Sequence, residues 1–144
     1  MPLVLPWLAG AVLAHLRADP VFVQSAPAGI GPRTPDPLRG PFARVQVPSV
    51  ASIDGHGIAF APLVQVSGWA PPSSTADPEG QAWAIAAEAA RVLGAVRAST
   101  WRTVTYSLRL VDGPQPHAPD TTRGAGTPLY GAFVRAELRL QLHE

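Results

Sequence analysis

The chain has 144 residues and a mass of 15.1 kDa, so we expect a single domain over residues 1–144. It has no cysteine, which excludes disulfides, thiolate zinc sites, iron–sulfur clusters and cysteine nucleophiles. Its 11 basic residues are all arginine and are balanced by 10 acidic residues, so no concentrated basic surface for nucleic acid is expected. With 47% hydrophobic and 15% charged residues, the composition predicts a folded chain with some surface hidden in an assembly.

The first third of the sequence predicts a helix and then an extended connector. Residues 3–16 are apolar with helical spacing, and the stretch is too short to span a bilayer. Asp19-Pro20 is expected to end this helix. The five prolines and three glycines between residues 24 and 41 are incompatible with a further helix, so this segment is expected to be an extended connector.

The middle of the sequence predicts two strands. Residues 42–47 alternate between apolar and polar side chains, and Pro48 closes this strand. A turn is expected over 49–57, and a second strand over 58–69. In that second strand, Gln65 and Ser67 point away from the neighbouring valines.

The second half predicts one long helix and two long strands. Asp77-Pro78-Glu79 combines an N-cap, a proline in the first turn and an early acid, so a helix should run from there to about residue 97. Residues 101–111 and 129–142 alternate strictly, as antiparallel strands with one buried face do. The resulting fold class is α+β, with a mostly antiparallel sheet of four or five strands and two main helices packed on one face.

No catalytic or cofactor motif emerges from the sequence. The histidines are scattered, and the nearest acid–base or metal-like pairs are Asp54 with His56 and His117 with Asp120. Both pairs lie in stretches rich in glycine and proline, where aspartate is favoured for backbone reasons. Neither a Gly-x-Ser-x-Gly elbow nor a nucleotide-binding glycine loop occurs, so we expect no enzyme activity, no metal and no cofactor.

Two features exceed what such a domain needs. The connection from 112 to 128 has 17 residues, is rich in proline and glycine, and is expected to project as a mobile loop unless a partner orders it. The polar face of the last two strands carries Arg109, Arg135, Glu137 and Arg139. These side chains are suited to intersubunit ion pairs, although a simple solvated face explains them equally well.

The order of elements resembles the tail terminator, or tail-completion, proteins of long-tailed bacteriophages over nearly the whole chain. The resemblance is carried by the helix ending at Arg17-Ala18-Asp19-Pro20, the proline–aromatic–valine strand from Pro41 to Val47, and the strand from Pro62 to Ala70. The alanine-rich helix from Asp77 and the closing pair of strands complete the order.

This resemblance implies a non-enzymatic virion protein, assembled in the host cytoplasm. Six copies would form a ring at the head-proximal end of the tail, stop polymerisation of the tube and dock the head connector. Its partners would be further copies of itself, the major tail tube protein and the head connector or head-completion protein. DNA would only pass through the lumen, and no membrane would be involved.

Physical reasoning then assigns residues to this scheme. The polar strand face with Arg109, Arg135, Glu137 and Arg139 is expected to meet a neighbour or line the lumen. Two segments are expected to dock the tube or the connector, and they contain Asp54, His56, His117, Asp120 and Arg123. The alternatives are another head–tail neck protein, such as a head-closure protein, or a small dimeric α+β ligand-binding domain or enzyme.

Overall fold

A computed structural model describes residues 7–49, 62–72, 77–102, 104–124 and 126–142. In this part of the chain, three helices and six strands follow one another in the order α, α, β, β, β, α, β, β, β. The helices are α1 (Leu8–Arg17), α2 (Pro20–Ser25) and α3 (Pro78–Gly94). The strands are β1 (Ile30–Gly31), β2 (Phe42–Ser49), β3 (Leu63–Ala70), β4 (Ser99–Trp101), β5 (Val104–Asp120) and β6 (Leu129–Leu142).

The six strands form one mixed sheet that curls into a half-barrel, in the order β1-β2-β3-β6-β5-β4. Strands β1 and β2 run parallel, and all other neighbours are antiparallel. The predicted fold of four or five mostly antiparallel strands with two main helices is therefore wrong. The strands that the prediction missed, β1 and β4, are only two and three residues long, too short for a periodic signal.

Helix α2 is a third helix, which was not predicted from the sequence. Asp19 and Pro20 were expected to end the first helix, and that helix does end just before them, at Arg17; the same two residues also begin a second helix. The carboxylate of Asp19 accepts a hydrogen bond of 3.0 Å from the backbone N–H of Phe22, and Pro20 occupies the first helical position. The same dipeptide therefore follows one helix and begins the next, and Phe22 on the second helix is completely buried.

The main hydrophobic core lies between the helices and one face of the sheet. Buried residues from all three helices and from strands β2, β3, β5 and β6 belong to this one cluster. The inward face of α3 is built largely from alanine, which lets the helix approach the sheet closely. At the closest point, strand β3 carries Gly68, where even a methyl group would meet the carbonyl oxygen of Ala82.

A smaller apolar cluster lies on the opposite face of the sheet, and its members are Leu38, Phe42, Trp69 and Leu129. In this cluster the ring of Trp69 crosses its antiparallel partner Gly131 so closely that a Cβ there would lie 2.5 Å from the ring. The proline-rich connector supplies Leu38, so this segment packs against the sheet.

The connection from 112 to 128 differs most from its prediction. Strand β5 runs on to Asp120 and pairs with β6 along this length, so the projecting loop expected from 112 is wrong. Register shifts in the pairing occur at Leu110/Asp112, Asp112/Gln115 and His117/Asp120. Prolines are tolerated at such irregularities and at sheet edges, and β4 covers only the first three residues of β5.

No helix in the described ranges is long and apolar enough to cross a membrane.

Candidate functional site: a polar sheet face with an arginine-lined groove

The sheet face opposite the helices, which we call the polar face, is organised by cross-strand rows. In one row Arg109 on β5 lies opposite Glu137 on β6. The guanidinium of Arg109 is 3.5 Å from the carboxylate of Glu137, and that of Arg139 is 3.2 Å from the same carboxylate. Both arginine side chains are largely exposed, at 67% and 72%, so one carboxylate serves two accessible cations.

The next row joins three strands through Arg135. This residue is paired in register with Gln65 on β3 and with Asp112 on β5. Its Nε donates a 2.9 Å hydrogen bond to Oε1 of Gln65, and its Nη1 lies 3.7 Å from the carboxylate of Asp112. The amide of Gln65 in turn donates to the hydroxyl of Ser67 at 3.0 Å. The structure thus brings together the four charged residues predicted for this face.

Gln65 and Ser67 are the additional site residues revealed by the structure. They are the buried polar residues of the described part of the chain, at 6% and 2% exposure. The strand alternation places them on this face, but the contact of Gln65 with Arg135 depends on the pairing of β3 with β6, about 70 residues later. That pairing cannot be recognised from the sequence around β3 alone.

His117 is ordered by aromatic contacts on the same face. Its ring lies edge-on to Trp69, with the ring centroids 4.8 Å apart, and 5.9 Å from the ring of Phe133. Trp69 and His117 both pair with Gly131, from opposite sides, so the glycine leaves room for the two rings to meet above it. These contacts anchor the end of β5, a stretch in which the sequence contained no obvious hydrophobic anchor.

Asp120 lies at the end of β5. Its carboxylate accepts hydrogen bonds from the hydroxyl of Thr122 at 2.7 Å and from the backbone N–H of the same residue at 2.9 Å. These two bonds hold the pKa of Asp120 below its ordinary value, and the charges of Arg123 and His117 act in the same direction. Asp120 is therefore a stable anion next to the groove, with little tendency to bind a proton.

Arg123 lies in the turn between β5 and β6 and connects this turn to the proline-rich segment. Its Nη2 donates to the carbonyl of Thr34 at 3.1 Å, and its Nη1 is 3.8 Å from the exposed carboxylate of Asp36. The Nη1 atom is buried and has no hydrogen-bond partner in the structure described. Asp54 and His56, the other predicted docking residues, lie outside the described residues.

Three neighbouring clefts follow this side of the sheet. A cleft of about 390 Å³ lies between Gln65, Arg44 and His117. A cleft of about 250 Å³ shares Arg44, Trp69, Asp120 and Thr122 with the first. A third, of about 480 Å³, shares Arg123 and Leu129 with the second. Neighbouring clefts share wall residues, and we call these three adjoining clefts together the arginine groove.

The chemistry available at this face is recognition through charge and hydrogen bonds. No group of three or more histidine, cysteine, aspartate or glutamate side chains in the described ranges is arranged to hold a metal ion. His117 and Asp120, both predicted as docking residues, line the first cleft. They do not act as a pair, because His117 packs against Trp69 and Asp120 accepts hydrogen bonds from Thr122. Guanidinium groups dominate the face, and these bind carboxylates and phosphates in a planar, two-pronged geometry.

Comparison with known proteins finds similarity among solved structures. No protein-family model matches the sequence, and no curated protein matches it. Among solved structures, a chain of "Virion of native gene transfer agent (GTA) particle" superposes with a TM-score of 0.62 and 22% sequence identity. The match covers 92% of this chain and 94% of that chain. At this identity the likeness establishes a shared fold over nearly the full length of both chains.

Proposed function

We propose that this chain is a structural virion protein, a tail terminator that acts as a single domain over residues 1–144. In this proposal six copies form a ring at the head-proximal end of the tail, stop polymerisation of the tube and dock the head connector. The observation that carries the proposal is the fold, shared over 92% of this chain with a chain from a gene transfer agent virion. The resemblance of the sequence to tail terminators supplies the specific role.

The polar face is suited to contacts between copies. Arg109 and Arg139 are exposed and share the single carboxylate of Glu137, so the guanidinium groups retain unused donors. In a ring, each subunit presents one surface to the next subunit and a different surface to the previous one. Carboxylates on the adjoining subunit would complete these pairs, and we place this interface, or the wall of the lumen, at Arg109, Arg135, Glu137 and Arg139.

The end of the β5–β6 pair is suited to a second contact. This end carries His117, Asp120 and Arg123, and the contacts described above hold it in a defined shape. We propose that it docks the tail tube or the head connector. A preformed surface loses little conformational entropy on binding, which favours a defined assembly partner.

Deletion of the gene from the phage or prophage that encodes the chain tests this function. We expect tails of uncontrolled length and full heads without joined tails, with both defects corrected when the wild-type gene is supplied from a plasmid. A head-closure protein would instead leave tail length normal and affect the heads alone. A small enzyme or ligand-binding domain would leave both structures intact.

The proposed ring face is tested in the same deletion strain with two matched alleles. Glu137→Gln removes the carboxylate shared by Arg109 and Arg139, and Glu88→Gln removes a partly exposed carboxylate paired with Arg91 on helix α3. We expect the first allele to lower the yield of tailed particles and the second to restore it fully. If both variants fold and give equal yields of tailed particles, the polar face is not part of the interface between copies.

A further inference from the structure

We infer that the arginine groove binds a carboxylate-bearing segment of a protein partner, with the acid held between Arg33, Arg44 and Arg123. This inference rests on the proposed docking role of the β5–β6 end and specifies the chemistry of what docks there. Its evidence is the charge of the groove, one buried donor without a hydrogen-bond acceptor, and the residues that line the adjoining clefts.

The walls of the groove carry more positive than negative charge. The arginines that line its clefts are Arg33, Arg39, Arg44 and Arg123, and the acids are Asp36 and Asp120. Asp120 accepts hydrogen bonds from Thr122, and Asp36 is exposed and lies next to Arg123. Within the described residues, Arg33, Arg39 and Arg44 have no ion-pair partner, so these guanidinium groups can bind an added anion.

The donor without an acceptor marks a position for that anion. The Nη1 of Arg123 is buried yet makes no hydrogen bond within the described residues, and its nearest carboxylate oxygen is 3.8 Å away. Leaving a buried charged donor without a hydrogen bond is costly, so a small turn of the guanidinium towards an anion in the adjoining cleft would be favoured. Arg123 lines two neighbouring clefts, so its side chain lies where these clefts adjoin.

The neighbouring Arg44 is held in position beside the same cleft. Its Nε donates to the carbonyl of Pro32 at 3.3 Å, which fixes the guanidinium while its remaining donors stay available. Arg33 follows Pro32 in the chain and lines the same 250 Å³ cleft. Two or three guanidinium groups around one cleft match a carboxylate, whose two oxygens accept parallel hydrogen bonds.

The lining of the groove favours a peptide over a small free anion. The arginine-lined cleft of about 250 Å³ adjoins a cleft of about 480 Å³, with which it shares Arg123 and Leu129. Beyond Arg123 the walls become partly apolar, with Leu38, Pro72 and Leu129. A peptide with an acidic side chain followed by an apolar one would fill both parts.

The test is an NMR titration of the ¹⁵N-labelled full-length protein with synthetic peptides. The probe is a hexapeptide of alternating glutamate and leucine, and its counterpart carries glutamine in place of glutamate. We expect the acidic peptide to shift amide signals around Arg44 and Arg123 and to bind at least about tenfold more tightly than the glutamine peptide, which corresponds to the loss of charge-assisted hydrogen bonds. Binding should weaken as salt is raised.

Two variants and a matched control locate the site. Arg33→Gln and Arg44→Gln should each weaken binding of the acidic peptide about tenfold. Arg102→Gln removes an exposed arginine that stacks on Trp101, away from the groove, and should leave affinity unchanged. Arg33 is exposed, so its variant should remain folded.

Three results would overturn the inference: equal binding of the two peptides, equal weakening by the control variant, or no binding at about 1 mM peptide. Displacement of the peptide by inorganic phosphate at concentrations comparable to the peptide would overturn the choice of a peptide ligand. If the titration fails and the deletion strain makes tails of uncontrolled length, peptide binding by the groove is refuted and the terminator function stands. If the titration succeeds and the deletion strain makes normal tails, the terminator function is refuted and peptide binding stands.

Discussion

Replacing Gly68 with alanine tests the close packing of helix α3 on the sheet. A Cβ at this position would lie 2.5 Å from the carbonyl oxygen of Ala82, 2.7 Å from Cβ of Ile85 and 3.0 Å from its Cγ2. Two of these atoms belong to the backbone or to the first side-chain carbon, so rotation of a side chain cannot relieve the clash. Helix and strand must therefore separate by several tenths of an ångström in a region that is fully buried.

Overpacking of this kind costs about 1–3 kcal/mol. The smaller conformational entropy of unfolded alanine offsets about 0.4–1 kcal/mol of that cost. We therefore expect Gly68→Ala to lower the free energy of unfolding by about 1–2 kcal/mol. For a domain of this size, that corresponds to a fall in Tm of about 2–8 °C.

The assay is thermal and urea unfolding followed by circular dichroism, with Gly126→Ala as the matched control. A Cβ at Gly126 meets nothing within 4 Å, and its backbone lies outside the left-handed region. The control should therefore be neutral or slightly stabilising, by at most about 1 kcal/mol. If the two variants unfold at the same temperature, the proposed contact between α3 and β3 is refuted.

Two further predictions concern single contacts. Hydrogen bonding to Arg91 lowers the pKa of Asp19 from its ordinary value of 3.8, so this ion pair stabilises the protein at neutral pH and is lost as the pH falls through the lowered pKa. Asp19→Asn keeps the helix cap but removes the charge. We therefore expect the variant to have a lower Tm than the wild type at pH 7 and the same Tm well below pH 3.8. A difference in Tm that does not change with pH would contradict this. His117→Ala removes the contact with Trp69, worth about 0.5–1.5 kcal/mol, and should speed hydrogen exchange of amides 112–120 about three- to tenfold relative to those of β2. Unchanged exchange in that segment would show that the ring contact does not anchor it.

Long elements with strong local signals could be predicted from the sequence. Strand β6 begins and ends where alternation placed it, at Leu129 and Leu142, and helix α3 follows the N-cap at Asp77. In each case the side-chain period and the capping residues are contained in the element itself. Tertiary contacts were not needed to recognise these elements.

Elements that depend on tertiary pairing could not be predicted. The two residues of β1 become a strand only because β2 pairs beside them, and α2 is short and buries a single aromatic residue, Phe22. The second half of β5 looks like a loop because it is rich in proline. It is a strand because β6 and the ring of Trp69 hold it.

The same division applies to the candidate site. The alternation of two adjacent strands was enough to place Arg109 and Glu137 on one face. The contact of Arg135 with Gln65 requires knowledge of the strand order. The arginine groove combines residues of the connector, β2 and the β5–β6 turn, so only the assembled fold reveals it.

The distribution of tail lengths in particles made without this chain tests the central claim most directly. Electron microscopy of lysates from the deletion strain gives this distribution, with the complemented strain measured alongside. The account predicts a broad distribution that extends well beyond the wild-type length and narrows again on complementation. A single narrow peak at the wild-type length, on tails joined to filled heads, would contradict it.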